Sequence, residues 1–444
     1  MAGKHTRNLV AGGNHEPQQA TSHRRGAVAL IALLALAAAG CGGGGGGGSS
    51  APPSPPTATM PPPPAEEGFD TTAMLTNLAD NVIATNYAAL SETASAFAGD
   101  GGPMASLCAA IGGIDEESAR ATAQEGWRDA MAKVQATEMH VIGPALANGE
   151  ALRHRLLSFS AGPISTCGID QSAALVADGN SEFDITNRSL NQRGFGAIEY
   201  LLFNEELSHS CASQVPSTAG WNALDESARR LARCDLALAI AVDAAQAAQA
   251  IAEQWGGYRE EFVSEGNTGD SLQLVTDALF AVDTLVKDAK LGIPAGIHDS
   301  CSDFACPDGV ESRYARNSLA NVRANTEAFL DLFNGADGSG FDDLIVEEGF
   351  PEVSDRFASN AQAVNQAIDR APNALFDELA AIDSTAEATA CMNAFAEPDS
   401  GEPGDGFQGC RISGLLKRIT DDLKIDFVTI VEVDIPGSAQ ADND

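Results

Sequence analysis

The strongest constraint on the fold of this chain is an apolar repeat with a helical period. Residues three, four or seven positions apart share one face of an α-helix, so a buried face appears in the sequence as apolar residues at those spacings. The longest such run ends at Trp255 and comprises Leu231, Leu238, Val242, Ala245, Ala248 and Ala252. Gly256 and Gly257 follow, and we expect the helix to end there because glycine favours helix C-termini.

Three further segments carry the same period, at residues 75–90, 272–286 and 319–333, and Gly335 marks the end of the last one. Alanine, the strongest helix former, is abundant, and aromatic residues make up only 6% of the chain. This composition favours helices that pack closely through small side chains. Long helices with glycine-rich breaks between them are typical of helical bundles.

One segment near the C-terminus departs from the helical period and predicts a short strand. Its apolar residues alternate with other residues, as in a strand, and are Ile425, Phe427, Val431, Val433 and Ile435. A length of 444 residues suits two domains, and polar residues and glycines cluster at residues 256–270. We therefore expect an all-α fold with two helical-bundle domains, at residues 68–258 and 259–444, and a short C-terminal strand.

The N-terminal segment has the pattern of a bacterial signal peptide. Basic residues at positions 4, 7, 24 and 25 precede an uncharged stretch at residues 26–39, which is shorter than the roughly 20 residues that span a bilayer. The sequence Ala-Ala-Gly-Cys at residues 38–41 is similar to a lipobox, in which the cysteine is acylated. It predicts removal of residues 1–40 and a lipid on Cys41. The alternative is an ordinary cleaved signal with a chance cysteine.

Residues 41–67 predict a tether. Seven glycines at residues 42–48 precede a proline-rich stretch, and neither composition forms a hydrophobic core. A tether behind an acylated cysteine holds a protein body away from the membrane. Because Gly42 rather than aspartate follows the cysteine, the resemblance to known sorting rules favours the outer membrane of a Gram-negative cell, on its periplasmic side or at the cell surface.

Charge and cysteine content restrict the partners and the compartment. The formal net charge of −36 repels phosphate backbones, so we expect no nucleic-acid partner.

Eight cysteines remain beside Cys41, and an even number in an oxidising compartment predicts disulfides. Eight cysteines allow 105 pairings. We take sequence neighbours as the default, which pairs Cys108 with Cys167, Cys211 with Cys234, Cys301 with Cys306, and Cys391 with Cys410.

Two glutamates stand out as candidate site residues because they lie on apolar helix faces. Glu199 shares a face with Phe195 and Leu202, and Glu138 continues an apolar stripe that includes Met131. A carboxylate among apolar neighbours is either paired or functional, since its burial alone is costly. Two such acids on different helices can meet inside a bundle, where metal sites are usually built. The alternative is that both are structural and bonded to arginine or to the backbone.

Familiar catalytic motifs are absent from the sequence. It contains no H-E-x-x-H motif of zinc peptidases, no G-x-S-x-G motif of hydrolases, and no glycine-rich phosphate loop. Common zincin, hydrolase and nucleotide-binding chemistry therefore has no support in the sequence.

The segment around Glu199 resembles the signature of the imelysin family, G-x-H-x-x-E followed by an apolar run. Gly194 and Glu199 match the motif, and Gly196 stands where the family has histidine. Further stretches resemble the family in the same order, at residues 81–90, 127–144, 230–255, 290–294, 311–312, 317–319 and 427–444. The resemblance implies two helical-bundle domains with the motif helix near their interface. It also implies metallopeptidase activity, iron uptake or ligand binding outside the cytoplasm.

The sequence therefore favours a non-catalytic, imelysin-like lipoprotein that binds a ligand or a partner protein in the envelope, in connection with iron or metal uptake. A divalent metal, zinc or iron, would use Glu199 and Glu138, but without a histidine at Gly196 these carboxylates hold a transition metal poorly. The alternative function is a metallopeptidase that uses Glu199. A purely structural, stalked protein also fits the composition.

Overall fold

The computed structural model of the chain describes residues 68–400 and 404–440. The predicted signal peptide at residues 1–40, the lipid anchor at Cys41 and the tether at residues 41–67 lie outside the described residues. The predicted domain division between residues 258 and 259 stays a prediction.

The described residues form helices and irregular connections, which confirms the all-α prediction. The α-helices are α1 (Thr71–Asn77), α2 (Ala84–Ala98), α3 (Pro103–Ala110), α4 (Glu116–Glu138), α5 (Ala147–Leu156), α6 (Thr166–Ala177), α7 (Gly194–Phe203), α8 (Glu226–Phe262), α9 (Thr268–Leu279), α10 (Ser318–Asn334), α11 (Phe341–Glu347), α12 (Pro351–Arg370), α13 (Leu375–Leu379), α14 (Thr385–Ala396), α15 (Gln408–Asp422) and α16 (Val428–Val431). Three π-helical segments join or extend them, at Leu78–Ile83, Val282–Gly292 and Leu423–Phe427.

In the first half of the described chain, helix α8 packs against five other helices, α2, α3, α5, α6 and α7. In the second half, α15 packs against α12, α14 and the π-helical segment Val282–Gly292, and α10 packs against α12. Helix α4 contacts both α7 and α10, so it connects the helix that carries Glu199 with the second half.

The predicted end of α8 at Gly256 and Gly257 is wrong, because the helix continues to Phe262. Both glycines face open space, where a helix tolerates them at a cost of about 1 kcal/mol each relative to alanine. Trp255 and Phe262 offset this cost, since their rings lie 5.5 Å apart in the core and Trp255 Nε1 donates a hydrogen bond of 3.2 Å to the Ala79 carbonyl.

Helix α8 is also long and apolar enough to cross a membrane. However, 61% of its most apolar stretch is buried inside the protein, as is common for the core helix of a soluble bundle.

The helix predicted at residues 319–333 is confirmed as α10, and Gly335 ends it with a φ of +69°. Residues 75–90 are helical from α1 into α2, and residues 272–286 are helical except at the junction between α9 and the next π-helical segment.

The predicted C-terminal strand is wrong, because residues 423–431 are helical. Leu423, Phe427 and Val431 are spaced four residues apart and are all buried, so a helical face accounts for their burial. Ile425, which a strand would place on the same face as Phe427, is 66% exposed.

The disulfides confirm two predicted pairs and correct two. Cys301 is bonded to Cys306 and Cys391 to Cys410, as predicted. The predicted pairs Cys108 with Cys167 and Cys211 with Cys234 are wrong: Cys108 is bonded to Cys234, and Cys167 to Cys211. The physical reason is tertiary packing, since α8 lies along α3 and brings Cys234 to a Cα–Cα distance of 5.4 Å from Cys108.

Candidate functional site

The start of α7 is fixed by its glycine. Gly194 has a φ of +72°, and a Cβ atom there would lie 2.5 Å from the carbonyl oxygen of Leu156 in α5. Only glycine adopts this conformation and this close approach without strain. Glycine is therefore required at the first position of the motif for a structural reason, because it allows α7 to begin directly against the end of α5.

The residue before it, Arg193, attaches α7 to α8 through a buried ion pair. Its Nη2 and Nε lie 2.6 and 2.9 Å from the two carboxylate oxygens of Asp243, and Arg155 Nη2 lies 2.7 Å from Oδ1 of the same group. Asp243 is 2% exposed, and two guanidinium groups compensate its burial. The direction of α7, and hence the position of Glu199, is set by these contacts.

Glu199 projects from α7 into the interior, where it is 3% exposed. Its Oε1 accepts hydrogen bonds from the backbone N–H groups of Tyr314 (2.7 Å) and Ala315 (2.9 Å). Burial raises the pKa of Glu199 to about 8, because desolvation outweighs the two N–H donors, and the nearby Glu311 carboxyl raises it further. At neutral pH the group is therefore mostly protonated and can donate a hydrogen bond.

A cavity of about 140 Å³ lies beside Glu199. Its lining combines apolar side chains with the loop before α10, and includes Met131, Leu157, Phe159, Ile164, Gly196, Glu311 and Tyr314. A Cβ atom on Gly196 would lie 3.1 Å from Cγ2 of Ile164 and 3.7 Å from Cδ1 of Leu157. A larger side chain at position 196 would thus enter the cavity only if Ile164 moved.

Glu138 lies in a different set of contacts, centred on Lys290. Lys290 Nζ lies 2.6 Å from Glu138 Oε2 and 3.2 Å from Glu311 Oε2, and it donates to Asn325 Oδ1 at 2.9 Å and to the Gln135 side chain. All of these side chains are buried. One ammonium group therefore lies between two carboxyl groups. Burial raises the pKa of Glu311, and Glu138 adds to the rise, while Lys290 opposes it.

The two predicted site glutamates thus have different partners, and Glu311 connects them. Glu311 lines the cavity beside Glu199 and also contacts Lys290, the partner of Glu138. Among residues 68–400 and 404–440, no group of three or more His, Cys, Asp or Glu side chains has a metal-binding arrangement. One oxygen of each predicted site carboxyl group is engaged within the protein, Oε2 of Glu138 by Lys290 and Oε1 of Glu199 by two N–H groups.

Sequence reasoning did not select Lys290 and Glu311 as site residues. Both lie in stretches that resemble the family, but Glu311 is in a loop without helical periodicity. Lys290 offered a weak signal, since it lies in a helical segment whose neighbours Val286 and Leu291 are apolar and buried. A charge among such residues requires a buried partner.

Comparison with known proteins identifies the family and the fold of the chain. The sequence model of the imelysin family matches residues 83–400. Two solved structures share the fold: an imelysin-like protein from Psychrobacter arcticum 273-4 (TM-score 0.59, 14% identity, 82% of this chain and 96% of that chain covered) and a protein from Parabacteroides distasonis ATCC 8503, provisionally named iron-regulated protein A precursor (TM-score 0.52, 13% identity, 82% and 97% covered). No curated protein sequence matches. The family match covers most of the chain, which therefore belongs to the imelysin family.

Proposed function

We propose that this chain is a non-catalytic, ligand-binding lipoprotein of the bacterial cell envelope, anchored through Cys41 and binding its ligand in the cavity beside Glu199. The observation that carries the proposal is the ion pair between Lys290 and Glu138, because a protein cation already occupies the position beside Oε2 of Glu138 that a bound metal ion would take. Gly196, at the position of the family histidine, provides no nitrogen ligand.

A catalytic zinc site usually takes three protein ligands. Here Glu199 stands alone among the motif residues, and a mostly protonated carboxyl group binds a cation weakly. The same protonated group suits recognition of a ligand that accepts hydrogen bonds. One structural neighbour is named iron-regulated, and by extension we propose that the ligand or partner is connected with iron supply rather than being a bare metal ion.

Calorimetric titration with zinc and with ferrous iron tests this proposal. We expect the wild type to bind either ion weakly at most. The double variant Gly196→His/Ile164→Ala should bind more tightly, since it supplies an imidazole one turn before Glu199 and removes the methyl group that lies 3.1 Å from the new Cβ. Ile164→Ala alone is the control. Stoichiometric, tight binding by the wild type that is lost in Glu199→Ala would support the metallopeptidase alternative instead.

The lipid anchor has its own test. Metabolic labelling with a fatty-acid analogue should mark the wild type and leave Cys41→Ser unlabelled. Equal labelling of both proteins would contradict the anchor.

A further inference from the structure

A second and larger cavity, of about 660 Å³, lies beside the C-terminal end of α7. It is bounded by α3, the beginning of α4, the loop after α7 and the beginning of α8. Its lining differs from that of the Glu199 cavity because it contains four arginines, Arg120, Arg229, Arg230 and Arg233. The same lining contains four glutamates, Glu116, Glu205, Glu206 and Glu226, so the positions of these charges decide what the cavity can bind.

Two of these arginines are already paired with carboxylates. Arg120 Nη2 and Arg230 Nε lie 3.0 and 2.9 Å from Oε1 of Glu116. Arg230 Nη1 also lies 3.5 Å from Oε2 of Glu226, so two carboxylates compensate these two arginines within the protein.

The other two arginines bind backbone carbonyl groups. Arg233 donates to the carbonyls of Glu206 (2.8 Å) and Tyr200 (2.9 Å), and Arg229 donates to that of Leu207 (3.3 Å). The Nε atoms of both are buried and, among the described residues, have no hydrogen-bond partner. Arg233 is only 3% exposed. The buried carboxylate of Asp170 attracts Arg233 from beyond direct contact. Among the described residues, however, neither Arg229 nor Arg233 forms an ion pair with a carboxylate, so the floor of this cavity can accept an anion.

Apart from Glu116, which is paired with Arg120 and Arg230, the negative charges of the lining lie at the exposed edge of the cavity. Glu205 and Glu206 are exposed to solvent, and Oε1 of Glu206 accepts a hydrogen bond from the Ser208 N–H. Solvent screens such exposed groups more strongly than it screens Arg233. The cavity is therefore positive at its buried floor and acidic at its edge.

We propose that this cavity binds a small organic carboxylate, with its carboxylate group against Arg233 and Arg229. A guanidinium group binds a carboxylate through two parallel hydrogen bonds, and the cavity volume lies within the usual range for small-molecule sites. The apolar side chains of Leu107, Ile111 and Leu207 line the same cavity and accommodate the body of the ligand. A monoanion is favoured over a phosphate ester, because the acidic edge and the net charge of −36 repel every added negative charge.

This site is separate from the cavity beside Glu199. Leu201, Leu202 and Phe203 of α7 line the arginine cavity, whereas Gly196 and Glu199 line the other one. The inference therefore does not depend on the function proposed for the Glu199 cavity.

Calorimetric titration at neutral pH and low salt with hexanoate and benzoate, and with their uncharged amides hexanamide and benzamide, tests the proposal. We expect at least one carboxylate to bind, and its amide to bind at least about tenfold more weakly, because the amide lacks the charge. Equal binding of acid and amide, or no binding of either carboxylate up to about 10 mM, would overturn the proposal.

Three variants test whether the carboxylate binds at the proposed residues. Arg229→Gln should weaken carboxylate binding about tenfold, and Glu205→Gln should strengthen it, because one removes a cation from the site and the other removes an acid from its edge. Arg370→Gln, an exposed arginine at the end of α12, controls for the loss of one positive charge and should bind like the wild type. Arg233→Gln is less suited, since Arg233 also holds two backbone carbonyls. Wild-type affinity in Arg229→Gln would contradict the proposed site.

Discussion

Lys290 Nζ lies 2.6 Å from Oε2 of Glu138, and both side chains are almost completely buried. This contact joins the π-helical segment Val282–Gly292 to α4, which also packs against the helix that carries Glu199. Because Lys290 also lies 3.2 Å from Glu311, its ammonium group compensates two carboxyl groups that have little access to solvent.

We expect Lys290→Met to destabilise the protein by about 3–5 kcal/mol, since it leaves two buried carboxyl groups without their cation. The free energy of unfolding from denaturant titration measures the effect. Lys417→Met is the matched control, because Lys417 forms a more exposed pair with Asp421 at 2.9 Å, and it should change stability by less than about 1 kcal/mol. Similar unfolding midpoints for the two variants would show that the buried pair has no special role.

The Glu199 carboxyl group should make stability depend on pH. It keeps its proton in the folded state up to about pH 8, whereas in the unfolded state it loses the proton near its ordinary pKa of 4.5. Between these values the folded state binds more protons, so stability falls as pH rises, by at most about 1.4 kcal/mol per pH unit from this group.

Glu199→Gln removes this titration, so its stability relative to wild type should improve steadily between about pH 5 and pH 8. Unfolding free energies at several pH values measure the difference, in which the contributions of other groups cancel. Glu182→Gln, at an exposed position, is the control. A constant difference between Glu199→Gln and wild type across this interval would mean that Glu199 does not hold its proton in the folded state.

The start of α7 should not tolerate a side chain. Gly194→Ala places Cβ 2.5 Å from the Leu156 carbonyl oxygen at a φ of +72°, and we expect a loss of at least about 2 kcal/mol in the free energy of unfolding. Gly220→Ala is the control, since nothing lies within 4 Å of its Cβ position and its φ is −93°. Thermal unfolding of both variants measures the effect. Equal stability of the two would argue against the close approach of α7 to α5.

The disulfide between α3 and α8 should contribute more to stability than the short one in the second half. Cys108 and Cys234 close a loop with a sequence separation of 126, whereas Cys301 and Cys306 are separated by 5. The chain-entropy argument predicts a loss of about 5 kcal/mol for Cys108→Ala/Cys234→Ala and a smaller loss, of about 2 kcal/mol, for Cys301→Ala/Cys306→Ala. Denaturant titration compares them, and peptide mapping of the unreduced protein should recover the 108–234 and 167–211 linkages.

The sequence predicted a helix correctly where a single helical period accounted for all the apolar residues of a segment. Helix α10 is an example, and the glycine that follows it, Gly335, marked its end. The sequence predicted a strand wrongly at residues 423–431, because Phe427 and Val431 fit both the alternating pattern of a strand and the period of a helix. Only packing against the core distinguishes the strand from the helix. Glu199 was identified because its apolar neighbours imply burial. Its hydrogen-bond donors, Tyr314 and Ala315, come from a loop more than a hundred residues away, and no local pattern encodes that contact.

The disulfide connectivity also has a consequence for how the chain reaches its oxidised state. The Cys167–Cys211 bond is nested within the loop closed by Cys108 and Cys234. In a chain that emerges N-terminus first, Cys108 and Cys167 precede both of their correct partners, so oxidation at that stage would join the wrong two thiols. From such a mispaired chain, the 108–234 and 167–211 bonds form only after disulfide exchange, which is slow without an isomerase.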